Sequence, residues 1–171
     1  MDNPDLQAVP VECVERIADC GMRGVTIAAV MGDGMEQIAH SDSIKKMVWL
    51  TGRKYDPACF TSIWTTAINM GVGVVFISVE DGMLTGVVGG LLSPDPFCGE
   101  KVASLVFWIM SPDASYRSSL GLWAAFKNWE NGMSAEKSAV SKCHEAIADM
   151  DGFFIRQGYR QTETRFEKPL A

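Results

Sequence analysis

KVASLVFWIM (residues 101–110), SPDASYRSS (111–119) and LGLWAAFKNW (120–129) form the stretch whose reading decides the fold. The middle of its first segment is apolar on both faces, which predicts a strand central in its sheet. Ser111-Pro112 ends that run, and a loop of small residues follows. A helix is expected from about Ser119 to Asn131, with Leu122, Phe126 and Trp129 on one face and Gly132 placed to stop it. A strand that feeds a helix in this way sets unpaired N–H groups and a partial positive charge at the strand's end. Ser118, Ser119 and Gly121 are small enough to let backbone curl around an anion, and Arg117 adds a permanent, forked cation. Together these parts suit a pyrophosphate. A strand, a turn and a helix with Ser and Gly are also commonplace where nothing binds.

Outward from this stretch the punctuation is regular. Residues 72–79 (VGVVFISV) read as a strand, Glu80-Asp81-Gly82 as a tight turn, and residues 83–92 as the returning hairpin strand. Ser93 to Pro96 and Cys98-Gly99-Glu100 read as loop and turn. Upstream, Asp56 and Pro57 open a helix whose stripe is Phe60, Ile63, Trp64, Ala67 and Ile68, ended by Gly71. Residues 33–49 read as one helix with Met35, Ile38, Ala39 and Met47 inward, and residues 25–30 (VTIAAV) as a strand. Residues 10–20 are expected to form a short helix with Val14 and Ile17 inward. Downstream come a short strand near residues 138–141, a helix over 144–157 weakened by Gly152, and a last strand over 162–167. This order predicts a single α/β domain over residues 1–171, with a mixed, mostly antiparallel sheet and flanking helices. Its helical N-terminal part with the first strand covers 1–71, and its β-meander and core cover 72–171.

Composition bounds the function. A chain of 171 residues, 47% apolar with five Trp and eight Phe, can bury a core without staples. The net charge is −6 and no run of Lys or Arg occurs, which argues against a nucleic-acid partner. That acidity suits a cationic substrate, though it equally serves solubility. Cys13, Cys20, Cys59, Cys98 and Cys143 include no CxxC pair, and His40 and His144 lie in no metal-ligand spacing with them. No metal site is expected, and the thiols are expected to be reduced and mostly buried, as in a cytoplasmic protein. The opening MDNPDLQAVP lacks a signal-peptide pattern, and no apolar run approaches 18 residues, so no membrane span is expected.

The decisive stretch resembles the GNAT superfamily of acyl-coenzyme A N-acyltransferases. Trp108-Ile109-Met110-Ser111-Pro112 is similar to that family's L-x-V-x-P, and Arg117-Ser118-Ser119-Leu120-Gly121-Leu122 to its R/Q-x-x-G-x-G/A. Phe153-Phe154-Ile155-Arg156-Gln157-Gly158-Tyr159 is similar to its F-Y-x-x-x-G-F. Residues 92–117 are also similar to small GNAT-like proteins of tailed phages. The resemblance covers about residues 72–168, and the first 70 in element order alone. It implies transfer of an acyl group from acetyl-CoA, or another acyl-CoA, to an amine of a small molecule or protein. Backbone groups of Trp108, Ile109 and Met110 would pair with the pantetheine arm, and an N–H near Met110 would polarise the thioester carbonyl. Arg117, Ser118, Ser119, Gly121 and Leu122 would hold the pyrophosphate. The amine would approach from the side of the first two helices and the hairpin.

The departures from that pattern concern proton transfer and the anion loop. Ser118 and Leu120 stand where flexible small residues are common. Phe154 stands where relatives carry the Tyr that protonates the leaving thiolate, and Ser104-Leu105-Val106 lacks the Glu of many fourth strands. His144 is the catalytic replacement considered, against an exposed or helix-capping histidine. Glu80 and Asp81, at a turn, are expected to be solvated carboxylates, and Tyr159 a core residue. Two rivals remain. One is a GNAT-fold protein that has lost catalysis and binds a partner. The other is a dinucleotide site at Gly32-Asp33-Gly34, where Gln37 occupies the third glycine position and no second βαβ unit follows. The sequence leaves the acceptor and the oligomeric state open.

Overall fold

The computed structural model describes residues 14–18, 24–141 and 150–162. The chain divides after Ser141 into two compact units. The first carries β1 (Val14–Ala18), β2 (Val25–Val30), α1 (Met35–His40), α2 (Asp42–Leu50), α3 (Pro57–Asn69), β3 (Gly73–Glu80), β4 (Met83–Pro94), β5 (Lys101–Met110), α4 (Tyr116–Gly132) and β6 (Lys137–Val140). The second carries α5 (Asp151–Arg156), in which Phe153 and Phe154 meet edge to face and Gly158 follows with a φ of 86°.

Six strands form one sheet in sequence order. The first five pair antiparallel, and β6 runs parallel to β5. A parallel partner needs a crossover, and α4 supplies it. The β3–β4 hairpin turns on Asp81 and Gly82, both at positive φ (49° and 80°), the conformation that two-residue loops favour. In α3, Asp56 Oδ1 accepts the N–H groups of Ala58 (3.0 Å) and Cys59 (3.2 Å). Gly71, at φ 70°, follows the helix.

The two faces of the sheet are covered by different helices. On one, Met35, Ile38, Ile44, Met47 and Trp64 pack with Val75, Ile77 and Val87. On the other lie Leu122 and Phe126 of α4, both fully buried. Two adjacent glycines of β4 make room for this packing. A Cβ on Gly89 would lie 2.4 Å from the Phe107 ring and 2.9 Å from Trp64, and one on Gly90 would lie 2.9 Å from Phe126. Tyr55 donates its O–H to the Ala39 carbonyl (2.8 Å), tying the α2–α3 connection to α1. Burial, with the nearby Asp56 charge, pushes its pKa up to about 12.

Four expectations are corrected. Residues 14–18 form an edge strand, not a helix: VERIA satisfies either period, and the pairing Val14↔Val30 through Arg16↔Ala28 decides it. The expected helix over 33–49 is a 3₁₀ turn at Gly32–Gly34 followed by two helices parted at Ser41. The Ser41 hydroxyl donates to the Ile38 carbonyl (2.8 Å) and accepts the Ile44 N–H (3.3 Å), so one residue stops α1 and starts α2. All four side chains expected inward there are buried. In α3, Trp64 and Ala67 are buried but Ile63 is 53% exposed, because the five-residue stripe is wider than the sheet surface that covers it. Finally, β2 and β3 are antiparallel, which removes the βαβ unit that a dinucleotide site at Gly32 requires.

Replacing Gly89 with Ala forces a methyl group into the Phe107 ring. Gly89→Ala is expected to destabilise the protein by roughly 1–3 kcal/mol, read as a lower midpoint in thermal or urea unfolding, whereas Gly132→Ala, whose Cβ meets nothing within 4 Å, is expected not to.

Candidate functional site

β5 is flanked on both sides for only part of its length. Residues 102–105 pair with β6, and the Ser141 N–H reaches the Leu105 carbonyl (3.3 Å). Beyond Leu105, among the described residues, β5 pairs with β4 alone. The register slips where this begins: Leu105 opposes Gly90 and Phe107 opposes Gly89, leaving Val106 as an extra residue. At the opposite end β6 is clamped. Lys137 bridges Glu100 (2.6 Å) and Asp95 (3.3 Å), two contacts that raise its pKa, and Glu136 accepts the Lys101 N–H (2.8 Å). Among the described residues, the β5–β6 pair is therefore clamped at one end and ends at Leu105 at the other.

Alternation along β5 settles which backbone groups face the open edge. The Ser111 N–H bonds to the Thr85 carbonyl of β4 (2.8 Å). Counting back by two, Ile109 and Phe107 also turn their N–H and C=O groups toward β4. Trp108 and Met110 turn theirs the other way, toward the side on which β6 pairs with residues 102–105. Of the three residues expected to offer backbone to a pantetheine arm, alternation points Trp108 and Met110 to that side and Ile109 to β4. Side chains brace this half of the strand. Trp108 stacks on Trp123 of α4, ring centroids 5.7 Å apart and planes within 9°. Met110 lies over Gly86, where a Cβ would sit 2.6 Å from its sulfur.

The helix that follows starts at Tyr116, three residues earlier than expected. Ser115 is the N-cap, its Oγ accepting the Ser118 N–H (3.2 Å). Arg117, Ser118 and Ser119 therefore lie in the first turn of α4 and not in a loop. Arg117 is exposed, and Ser119 is partly exposed. Ser118 is fully buried, and Gly121 and Leu122 are buried a turn further in. Ser118 joins a buried polar chain: its hydroxyl shares a hydrogen bond with Thr85 (3.4 Å), which shares one with Ser78 (3.2 Å).

That chain ends on Glu80. Its Oε1 accepts the Ser115 N–H (3.0 Å) and the Ser118 hydroxyl proton. Burial alone would raise this carboxyl's pKa, but the hydrogen bonds from Ser118, Ser115 and Thr85 outweigh it and hold the pKa below the ordinary value. An ionised carboxylate thus sits at the positive end of α4. An open cavity of about 450 Å³ adjoins it, lined by Gly24, Val25, Glu80, Asp81, Ser115, Tyr116 and Arg117.

No family model matches this chain, and no curated protein matches it in sequence. Solved structures do match. A GNAT family acetyltransferase of Staphylococcus aureus superposes with a TM-score of 0.61 at 9% identity, covering 86% of this chain and 99% of its own. An aminoglycoside acetyltransferase from an uncultured soil metagenomic sample, solved with sisomicin, gives 0.65 at 11%, covering 86% and 97%. The chain has the GNAT fold. A predicted acetyltransferase of Clostridium acetobutylicum, solved with acetyl-CoA, gives 0.66 at 10%, covering 85% and 96%.

Other site expectations fall differently. His144 lies outside the described residues. Phe154 is on α5, in the second unit. Cys59 and Cys98 are free thiols and both are exposed, against the expected burial, because one lies on the outer face of α3 and the other in the β4–β5 connection; Cys13, Cys20 and Cys143 lie outside the described residues. Among the described residues no cluster could hold a metal ion, and no helix is long and apolar enough to cross a membrane. Glu80 is the residue that sequence reasoning missed, since a carboxylate beside a turn is ordinarily solvated. The signal available was weak: an acidic residue ending one strand, and a Ser-rich helix start ending another two strands away.

The sign of the Glu80 contribution follows from its lowered pKa. The stabilisation is present above the unfolded carboxyl pKa of about 4.3 and is lost as pH falls through the lower folded value. Glu80→Gln should therefore unfold at a lower temperature than the parent at pH 7, and the difference should shrink steadily below about pH 4.5. A difference that stays constant across that range would show that the carboxylate's charge is not what holds the helix start.

Proposed function

We propose that the protein transfers an acyl group from an acyl-CoA, acetyl-CoA in the first instance, to an amine. The observation that carries this reading is the part of β5 beyond Val106, which among the described residues pairs with β4 alone, and where the Met110 backbone groups turn away from β4. A pantetheine arm has two amides at strand-like spacing and can add there as a short strand. The GNAT fold supports the same assignment, and the Clostridium neighbour was solved with acetyl-CoA. Its sisomicin-bound counterpart makes a small-molecule amine the first acceptor class to test.

The chemistry asks little of side chains. The amine nitrogen bonds to the acyl carbon, the C–S bond breaks, and the thiol and an amide leave. Backbone N–H groups at the edge, near Met110, stabilise the oxyanion that forms on the way. The bulge and the Trp108–Trp123 stack hold that edge in place, so rate comes from orientation. No carboxylate lies on residues 102–110 to act as base. Proton transfer then falls to water or to a group such as His144, and turnover should lie about 10²–10⁴-fold below that of a relative with a full acid–base pair.

Incubation with acetyl-CoA and a panel of primary amines, followed by thiol release, tests the reading. Acceptor-dependent thiol release is expected. Absence of acetyl-CoA binding by calorimetry, together with no thiol release, would refute it. Binding without transfer to any amine would favour a GNAT-fold protein that keeps the donor site and serves as a binding module.

A further inference from the structure

We infer that this protein grips its acyl donor through the uncharged pantetheine arm and gains little from the diphosphate, because Glu80 stands where that anion would be held. The inference rests on the acyl-transfer reading above and concerns which part of the donor supplies the affinity.

The start of α4 has few groups left to offer an anion. The Ser115 N–H and the Ser118 hydroxyl go to Glu80, and the Ser118 N–H goes to the Ser115 hydroxyl. The Ser119 N–H turns to the Ser115 carbonyl (3.4 Å). Among the first-turn donors, the Tyr116 and Arg117 N–H groups remain. The helix end carries the equivalent of about half a positive charge, and a fixed carboxylate more than cancels it. The neighbouring cavity repeats the imbalance, with Glu80 and Asp81 in its wall against the single guanidinium of Arg117. Gly121 and Leu122, which a diphosphate loop would need to present, are buried in the helix face toward the sheet. A diphosphate brought here meets net negative charge at short range.

The pantetheine arm meets none of this. Its amides are neutral, and the edge that would take them is the Met110 end of β5, braced by the Trp108–Trp123 stack. The donor class that fits is a pantetheine thioester, with or without its nucleotide. Glu80 is then a specificity-determining residue: it removes the preference for coenzyme A over a shorter carrier that an anion-binding helix start would give.

Calorimetric titration of the full chain with acetyl-CoA and with S-acetylpantetheine tests this directly. In the parent protein the two dissociation constants should agree within about fivefold. In Glu80→Gln the amide oxygen can still accept from Ser115 and Ser118, while the charge is gone. There acetyl-CoA should bind about tenfold more tightly and S-acetylpantetheine unchanged. An acetyl-CoA preference beyond fivefold in the parent overturns the inference, as does a folded Glu80→Gln that leaves that preference unaltered. If the variant does not fold, the comparison in the parent alone decides. If neither thioester binds the parent, the acyl-transfer reading fails and this inference falls with it; binding of both with the wrong preference spares that reading.

Discussion

One constraint organises this molecule: β6 runs parallel to β5 and pairs with it over only four residues, 102–105. A parallel neighbour cannot follow through a tight turn, so the chain must cross the sheet as a helix. That helix, α4, begins where β5 ends, beside the half of β5 that β6 does not reach among the described residues. A short parallel pairing and a helix N-terminus therefore arise together, from topology, before any side chain is chosen. The side chains then determine what each can bind.

Along the second half of β5 they fix the strand: Trp108 is stacked on Trp123 and Met110 is seated over Gly86. The polar chain Ser78–Thr85–Ser118 ties the first turn of α4 to β3 and β4 through hydroxyls that are nearly or fully buried. Buried Glu130 accepts from Ser138 and pairs with Lys127, which fixes β6 against the same helix. At the helix start the side chains act in the opposite sense. Glu80 satisfies donors that would otherwise face solvent or a ligand, which favours the fold and opposes an anion.

Much of this was legible in the sequence wherever the signal was local. The Asp-Gly hairpin, the Asp56-Pro57 helix start and the apolar run of β5 each carry their own period or cap, and each stands where it was expected. What was not legible depended on distant partners. VERIA suits a helix or a strand until β2 is beside it. Ser41 reads as one more helical residue until both of its hydrogen bonds are seen. The start of α4 moved to Tyr116 because Ser115 caps it, a role that Ser111, Ser118 or Ser119 could equally have claimed from spacing. The function of Glu80 is set by a contact 35 residues away in sequence, which no periodicity reports. The open edge itself was expected only through resemblance. Its division between Trp108 and Met110 on one side and Ile109 on the other required the register.

Amide hydrogen exchange at β5 tests the central claim most directly. Without ligand the Met110 amide should exchange faster than that of Ile109, which faces β4, and saturating acetyl-CoA should slow Met110 selectively. A Met110 amide already as protected as Ile109 in the free protein, or unchanged under saturating donor, would contradict it.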